Sequence, residues 1–167
     1  MYEEILKKME TPEGKAIMNK IAEEYIKQEK IKSEKIKNII SDTTYIEWLK
    51  QFAQDKDKFF SDDWVYTQKK LSEVERKNIS KLYLFYEGIS QYASQNYILP
   101  LPCEFGNFYR IKLDDYYFKV GVLVGQGTVF FFNKETLNNG KEFIDFNDVM
   151  AQVNQDKSKS LIKNNKI

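Results

Sequence analysis

The sequence predicts an α+β fold, in which a helical N-terminal half packs against a C-terminal antiparallel β-meander of three to four strands. Three observations predict it. Helix-period apolar residues and helix-start signals fill the chain up to about residue 97. Pro100 and Pro102 then stop the helical pattern. Beyond them Tyr116, Phe118, Val120, Val122 and Val124 alternate with other residues at the period of a strand. The expected organisation is a single domain over 1–154, helical over about 1–97 and strand-rich over about 98–154, followed by a polar, disordered tail at 155–167.

Residues 2–9 predict a short helix with Ile5, Leu6 and Met9 on one side. Thr11-Pro12-Glu13 opens the next: threonine can cap, proline suits the first helical position, and glutamate favours the positive end of the helix dipole. Its stripe, Met18, Ile21, Ala22 and Tyr25, resumes at Ile36, Ile39 and Ile40. Between them lie Gln28, Glu29 and Lys32, so the helix either breaks there or is solvated on all sides. Thr44-x-x-Glu47 and Ser72-x-x-Glu75 are capping boxes. The first opens a short helix carrying Tyr45, Trp48, Leu49 and Phe52, the second a helix running to Gln95, and a loop is expected over 55–64. Gly88 weakens that second helix by about 1 kcal/mol relative to alanine, which a close neighbour would explain.

In the strand-rich part, Tyr109, Ile111 and Leu113 alternate with Phe108, Arg110 and Lys112. Asp114-Asp115 suits a tight turn, and Gly125-Gln126-Gly127 supplies residues free to take positive φ. The third strand is 128–132, and a fourth is expected at 141–145 after a turn at Asn138-Asn139-Gly140. Asp145 then caps a short helix ending near Val153.

Composition narrows the function classes. The 26 basic and 25 acidic residues leave a net charge of +1, so overall charge favours no nucleic-acid partner and only local clusters could. The single cysteine, Cys103, cannot form an intramolecular disulfide. The first residues lack the apolar core of a signal peptide, and no apolar run suits a membrane helix. A soluble protein of the cytoplasm, without membrane contact, is the expectation.

The chain contains no histidine, which excludes Ser-His-Asp and Cys-His catalysis and zinc held by Cys and His. Carboxylate, lysine or tyrosine chemistry is what an enzyme could still use. The carboxylates Asp55, Asp57, Asp62 and Asp63 fail the calcium-loop template, because Phe59 and Phe60 stand where an oxygen ligand and a glycine are needed. Gly125-Gln126-Gly127 lacks the lysine and following helix of a phosphate loop. Cys103 sits beside Glu104, which does not activate a thiol. No catalytic residue, metal ligand or cofactor is therefore assigned.

Two surfaces remain. Aromatic residues make up 15% of the chain, and Phe108, Tyr117, Phe130 and Phe132 are expected on the side of the meander away from Val120 and Val122. If helices cover one side only, that aromatic face is a site for another protein; if both are covered, it is core. The second surface is KQEKIKSEKIK at 27–37, where Lys27, Lys30, Lys32, Lys35 and Lys37 outnumber two glutamates. They could meet phosphates nonspecifically, or simply form a solvated face. The favoured function is a non-catalytic protein-binding module such as an inhibitor, immunity factor, adaptor or accessory protein, acting through the aromatic sheet. A nucleic-acid-associated protein using the lysine-rich helix is the alternative, and an enzyme with carboxylate or lysine chemistry the second alternative.

Overall fold

A computed structural model describes residues 1–54, 59–60, 72–125, 128–137 and 140–165. The layout is α+β, with helices dominating the N-terminal part and an antiparallel sheet the C-terminal part. The chain forms two compact units, Met1–Lys35 and Ile36–Ile167.

The first unit holds α1 (Tyr2–Met9) and most of α2 (Pro12–Ile40). Thr11 caps α2 as predicted: its hydroxyl accepts from the Gly14 amide at 3.0 Å and donates to the Lys8 carbonyl at 2.7 Å. The polar stretch at Gln28, Glu29 and Lys32 does not break the helix, and residues 15–31 are all exposed. The stripe of Met18, Ile21 and Tyr25 thus buries nothing, whereas Ile36, Ile39 and Ile40 are core residues of the second unit.

In the second unit α3 spans Thr43–Phe52. Its cap is Asp42, whose carboxylate accepts from the Tyr45 amide at 3.1 Å, rather than the predicted Thr44. A carboxylate placed two residues earlier meets the positive helix end and leaves Thr44 inside the first turn. Of the loop expected at 55–64, the described Phe59–Phe60 instead form a short strand, β1; the remainder lies outside the described residues.

Ser72 caps α4 (Glu73–Ser80) as predicted, accepting from the Glu75 amide at 3.1 Å. The single helix expected to Gln95 is divided, with α5 covering Leu82–Gln95. Two donors take the Asn78 carbonyl, the Tyr45 hydroxyl at 3.0 Å and the Lys81 amide at 3.2 Å. That carbonyl would otherwise accept from Leu82, so the helical ladder is interrupted there. Gly88 has the close neighbour its position implied: a Cβ would lie 2.7 Å from Ile40 Cδ1 and 3.1 Å from Ile36 Cγ2, which is how the end of α2 reaches α5.

The strands that follow are β2 (Leu101–Cys103), β3 (Gly106–Leu113), β4 (Tyr116–Val124), β5 (Thr128–Lys134) and β6 (Ile144–Asp145). The sheet order is β1-β5-β4-β3-β2, antiparallel throughout, and β6 pairs parallel with β3 at Ile111 and Lys112. The predicted meander is β3-β4-β5. Asp114 turns the first hairpin at φ 52°, a conformation aspartate tolerates. Its carboxylate takes the ammonium of buried Lys50 at 2.6 Å, with Glu47 at 2.7 Å, which ties α3 to the hairpin and raises the Lys50 pKa above its ordinary value. Gln126, Gly127, Asn138 and Asn139 of the predicted turns lie outside the described residues. The last helix, α6, runs over Phe146–Asn165, well past the predicted end at Val153. No proline or glycine interrupts that stretch, so a helix anchored by Phe146 and Val149 in the core can propagate.

One face of the sheet carries the core. Tyr109, Ile111, Leu113, Phe118, Val120 and Phe132 pack with Phe85 and Ile89 of α5, Leu49 of α3 and Val149 of α6. Phe132 stacks on Phe118 with ring centroids 4.5 Å apart and meets the edge of Phe85 at 5.7 Å. On the opposite face a methyl on Gly121 would overlap the Asn107 carbonyl oxygen and meet Phe131 Cζ at 2.5 Å and Phe108 Cβ at 2.7 Å. Gly121→Ala is expected to lower stability by about 1–3 kcal/mol in a urea titration, because a strand carbonyl cannot step aside.

Candidate functional site: the second face of the sheet

Register decides which aromatic residues are available. Residues directly opposite on antiparallel strands point to the same side. Phe130 lies opposite Val122, and Phe132 opposite Val120. Both therefore face the core, which corrects the expectation that Phe108, Tyr117, Phe130 and Phe132 share one outward face. Phe132 is 1% exposed, and half-buried Phe130 packs against Tyr86 at 5.6 Å and Tyr83 at 6.4 Å. The cause is the connection between β4 and β5. Three residues separate the opposed pair Val124 and Thr128, so even-numbered residues face even-numbered ones; a two-residue connection would have reversed the third strand.

Phe108 and Tyr117 do lie on the second face, and both are half-buried outside the core cluster. Arg110 stands directly opposite Lys119, with Phe108 opposite Gly121 and Lys112 opposite Tyr117. Two like charges in direct opposition repel. Glu135 answers that repulsion. Its backbone amide donates to the Tyr117 carbonyl at 2.8 Å, continuing the pairing one residue beyond β5 and placing the side chain on this same face. Arg110 Nε donates to one carboxylate oxygen at 3.1 Å, and Lys119 Nζ lies 3.9 Å from that atom. Lys141 Nζ donates to the other at 3.0 Å, as does the Thr136 amide at 3.0 Å.

The Glu135 side chain is only 8% exposed, whereas Arg110 and Lys141 are each 22% and Lys119 37% exposed. Burial alone would raise its pKa. Hydrogen bonds from Lys141 and Arg110, with the nearby Lys119 charge, more than offset that and hold the carboxyl below its ordinary range. Three cations around one carboxylate leave two positive charges unmatched among the described residues. Arg110 and Lys119 also lie over the Phe108 ring, at 5.3 and 5.7 Å from its centroid, and Tyr117 packs on Phe143 at 4.8 Å. The face is therefore positive and aromatic at once. Sequence reasoning named Phe108 and Tyr117 and missed Arg110, Lys119, Glu135, Lys141 and Phe143. Once Asp114-Asp115 is read as a two-residue turn, Arg110 must oppose Lys119, and that conflict was the available signal.

Of the lysine-rich segment, Lys27, Lys30 and Lys35 are exposed on α2, and Lys32 is half-buried. Half-buried Lys37 lines a cleft with Ile36, Tyr92, Gln95, Val149 and Gln152. The cleft holds about 40 Å³, room for a single water rather than a substrate. Gln152 spans its rim, bonded to Gln95 and accepting from Asn96 at 2.9 Å. Among the described residues no three His, Cys, Asp or Glu side chains converge as metal ligands, and no helix is long and apolar enough to cross a membrane. Cys103 is a half-buried free thiol in β2. No protein-family model, curated protein or solved structure matches the chain.

Proposed function

We propose that the chain is a non-catalytic protein-binding module, an inhibitor, immunity, adaptor or accessory protein of the cytoplasm, acting through the second face of its sheet. One observation carries this reading: Phe108, Tyr117 and Phe143 lie half-buried on the face turned away from the core cluster, where Phe131 is buried beside them. Aromatic side chains flanked by arginine are what protein interfaces concentrate. Phe130 and Phe132 leave the proposed surface, and Arg110 and Lys119 join it.

The full chain, tagged and recovered from its native cells after nuclease treatment, should retain a stoichiometric protein. The Phe108→Ser, Tyr117→Ser double variant should lose that protein while keeping its circular dichroism and its unfolding transition. Undiminished recovery by the folded variant would remove the second face from the account.

A nucleic-acid reading draws on the exposure of Lys27, Lys30 and Lys35 along an unbroken helix. It requires affinity that falls steeply with salt and is lost when these three become glutamine.

A further inference from the structure

The geometry points to an acidic segment of a protein as the occupant of the second sheet face, with its carboxylates meeting Arg110 and Lys119 above Phe108. This rests on the protein-binding reading and names the chemistry of the partner. The charge of this face suits such a segment. Arg110 and Lys119 face each other across β3 and β4, and Lys141 adds a third cation, against the single carboxylate of Glu135. Like charges set directly opposite destabilise a strand pair unless something negative offsets them. Glu135 offsets them only in part, and Arg110 and Lys119 retain solvent-facing surface through which a second carboxylate could be met.

The cations are also pre-organised. Glu135 and the Phe108 ring already hold both cations, so a partner need not freeze two long side chains on arrival. Glu135 is in this sense a positioning residue. The amount of unmatched charge favours a protein over a nucleic acid. A phosphate backbone brings charge at every nucleotide, whereas Arg110, Lys119 and Lys141 exceed the charge of Glu135 by only two. A peptide can place one acidic side chain at Arg110 and Lys119 and an apolar neighbour on Tyr117 and Phe143, which lie beside them on the same face. Electrostatic complementarity of this kind sets partner choice and association rate.

The test uses the full chain and three fluorescent probes of equal length: an oligoglutamate peptide with interspersed leucines, the same peptide with glutamine for glutamate, and oligothymidylate. The glutamate peptide should bind at low ionic strength, weaken as salt rises, and bind the Arg110→Gln, Lys119→Gln double variant at least roughly tenfold more weakly. The Lys30→Gln, Lys35→Gln variant should bind it as the wild type does. Should the first double variant fail to fold, chemical shifts of the wild-type chain replace it, and the arginine side-chain resonances of Arg110 should move with the glutamate peptide alone. Three results overturn the proposal: no binding of the glutamate peptide at low salt, binding that depends on Lys30 and Lys35, or tighter binding of oligothymidylate through Arg110 and Lys119. If the glutamate peptide fails while a cellular partner still needs Phe108 and Tyr117, only the acidic chemistry falls. If that dependence fails too, the protein-binding reading falls with it.

Discussion

Replacing Phe132 with serine is expected to lower stability by about 3–5 kcal/mol, read from the urea midpoint at an unchanged slope. The ring is 1% exposed, stacks on Phe118 and meets the edge of Phe85, so its loss opens a cavity between sheet and α5. The serine hydroxyl would add a buried polar group to that cavity. The same change at Phe108 should cost much less, because that ring is half-buried under Arg110 and Lys119 and stands outside the core. Two phenylalanines of one small sheet thus stand on opposite faces, one inside the core cluster and one outside it, and the contrast in midpoint measures the difference. Equal losses at both sites would mean that the second face is a second core.

Glu135→Gln is the other large effect. The substitution keeps the shape and removes the charge, leaving Arg110, Lys119 and Lys141 to repel one another around a nearly buried amide. A loss of about 1–3 kcal/mol is expected at neutral pH. The sign of the pH dependence follows from linkage. The Glu135 pKa is lowered in the folded chain, so its contribution is present above the ordinary value of 4.5 and lost as pH falls through the folded value. The gap between wild type and variant should therefore be full at neutral pH and close progressively below pH 4.5. A gap that stays constant down to strong acid would show that the network contributes nothing through charge. The variant should also bind less selectively, since the two cations lose the group that holds them.

Much of the fold was legible because short-range rules settled it. Thr11 and Ser72 cap where the sequence places them, the period-2 run is β4, and Gly88 has the neighbour its position demands. What failed depended on contacts between distant residues. The break between α4 and α5 comes from the Tyr45 hydroxyl reaching the Asn78 carbonyl, a partner 33 residues away in sequence. The cap of α3 moved because Asp42 and Thr44 compete and a charge at the helix end wins. The site was half legible for a similar reason. The alternation of β3 and β4 was read correctly, and the two-residue turn at Asp114 fixes their pairing. The third strand needed the length of the connection after Val124, and one residue there inverts every side chain of β5. Glu135 carries no motif at all; only the pairing of its amide with Tyr117 brings it to the cations.

On the proposed function the sheet divides its labour, with Val120, Ile111 and Phe132 holding the fold and the opposite side meeting a partner. Methyl resonances distinguish the two faces. Leu123 and Val129 lie opposite each other on the second face, whereas Val120 and Ile111 are buried on the first. Adding the purified partner to the methyl-labelled full chain should shift Leu123 and Val129 and leave Val120 and Ile111 in place. Shifts confined to Ile17, Ile21 and Ile26 of α2, with Leu123 and Val129 unmoved, would contradict the account and transfer the binding surface to the N-terminal helices.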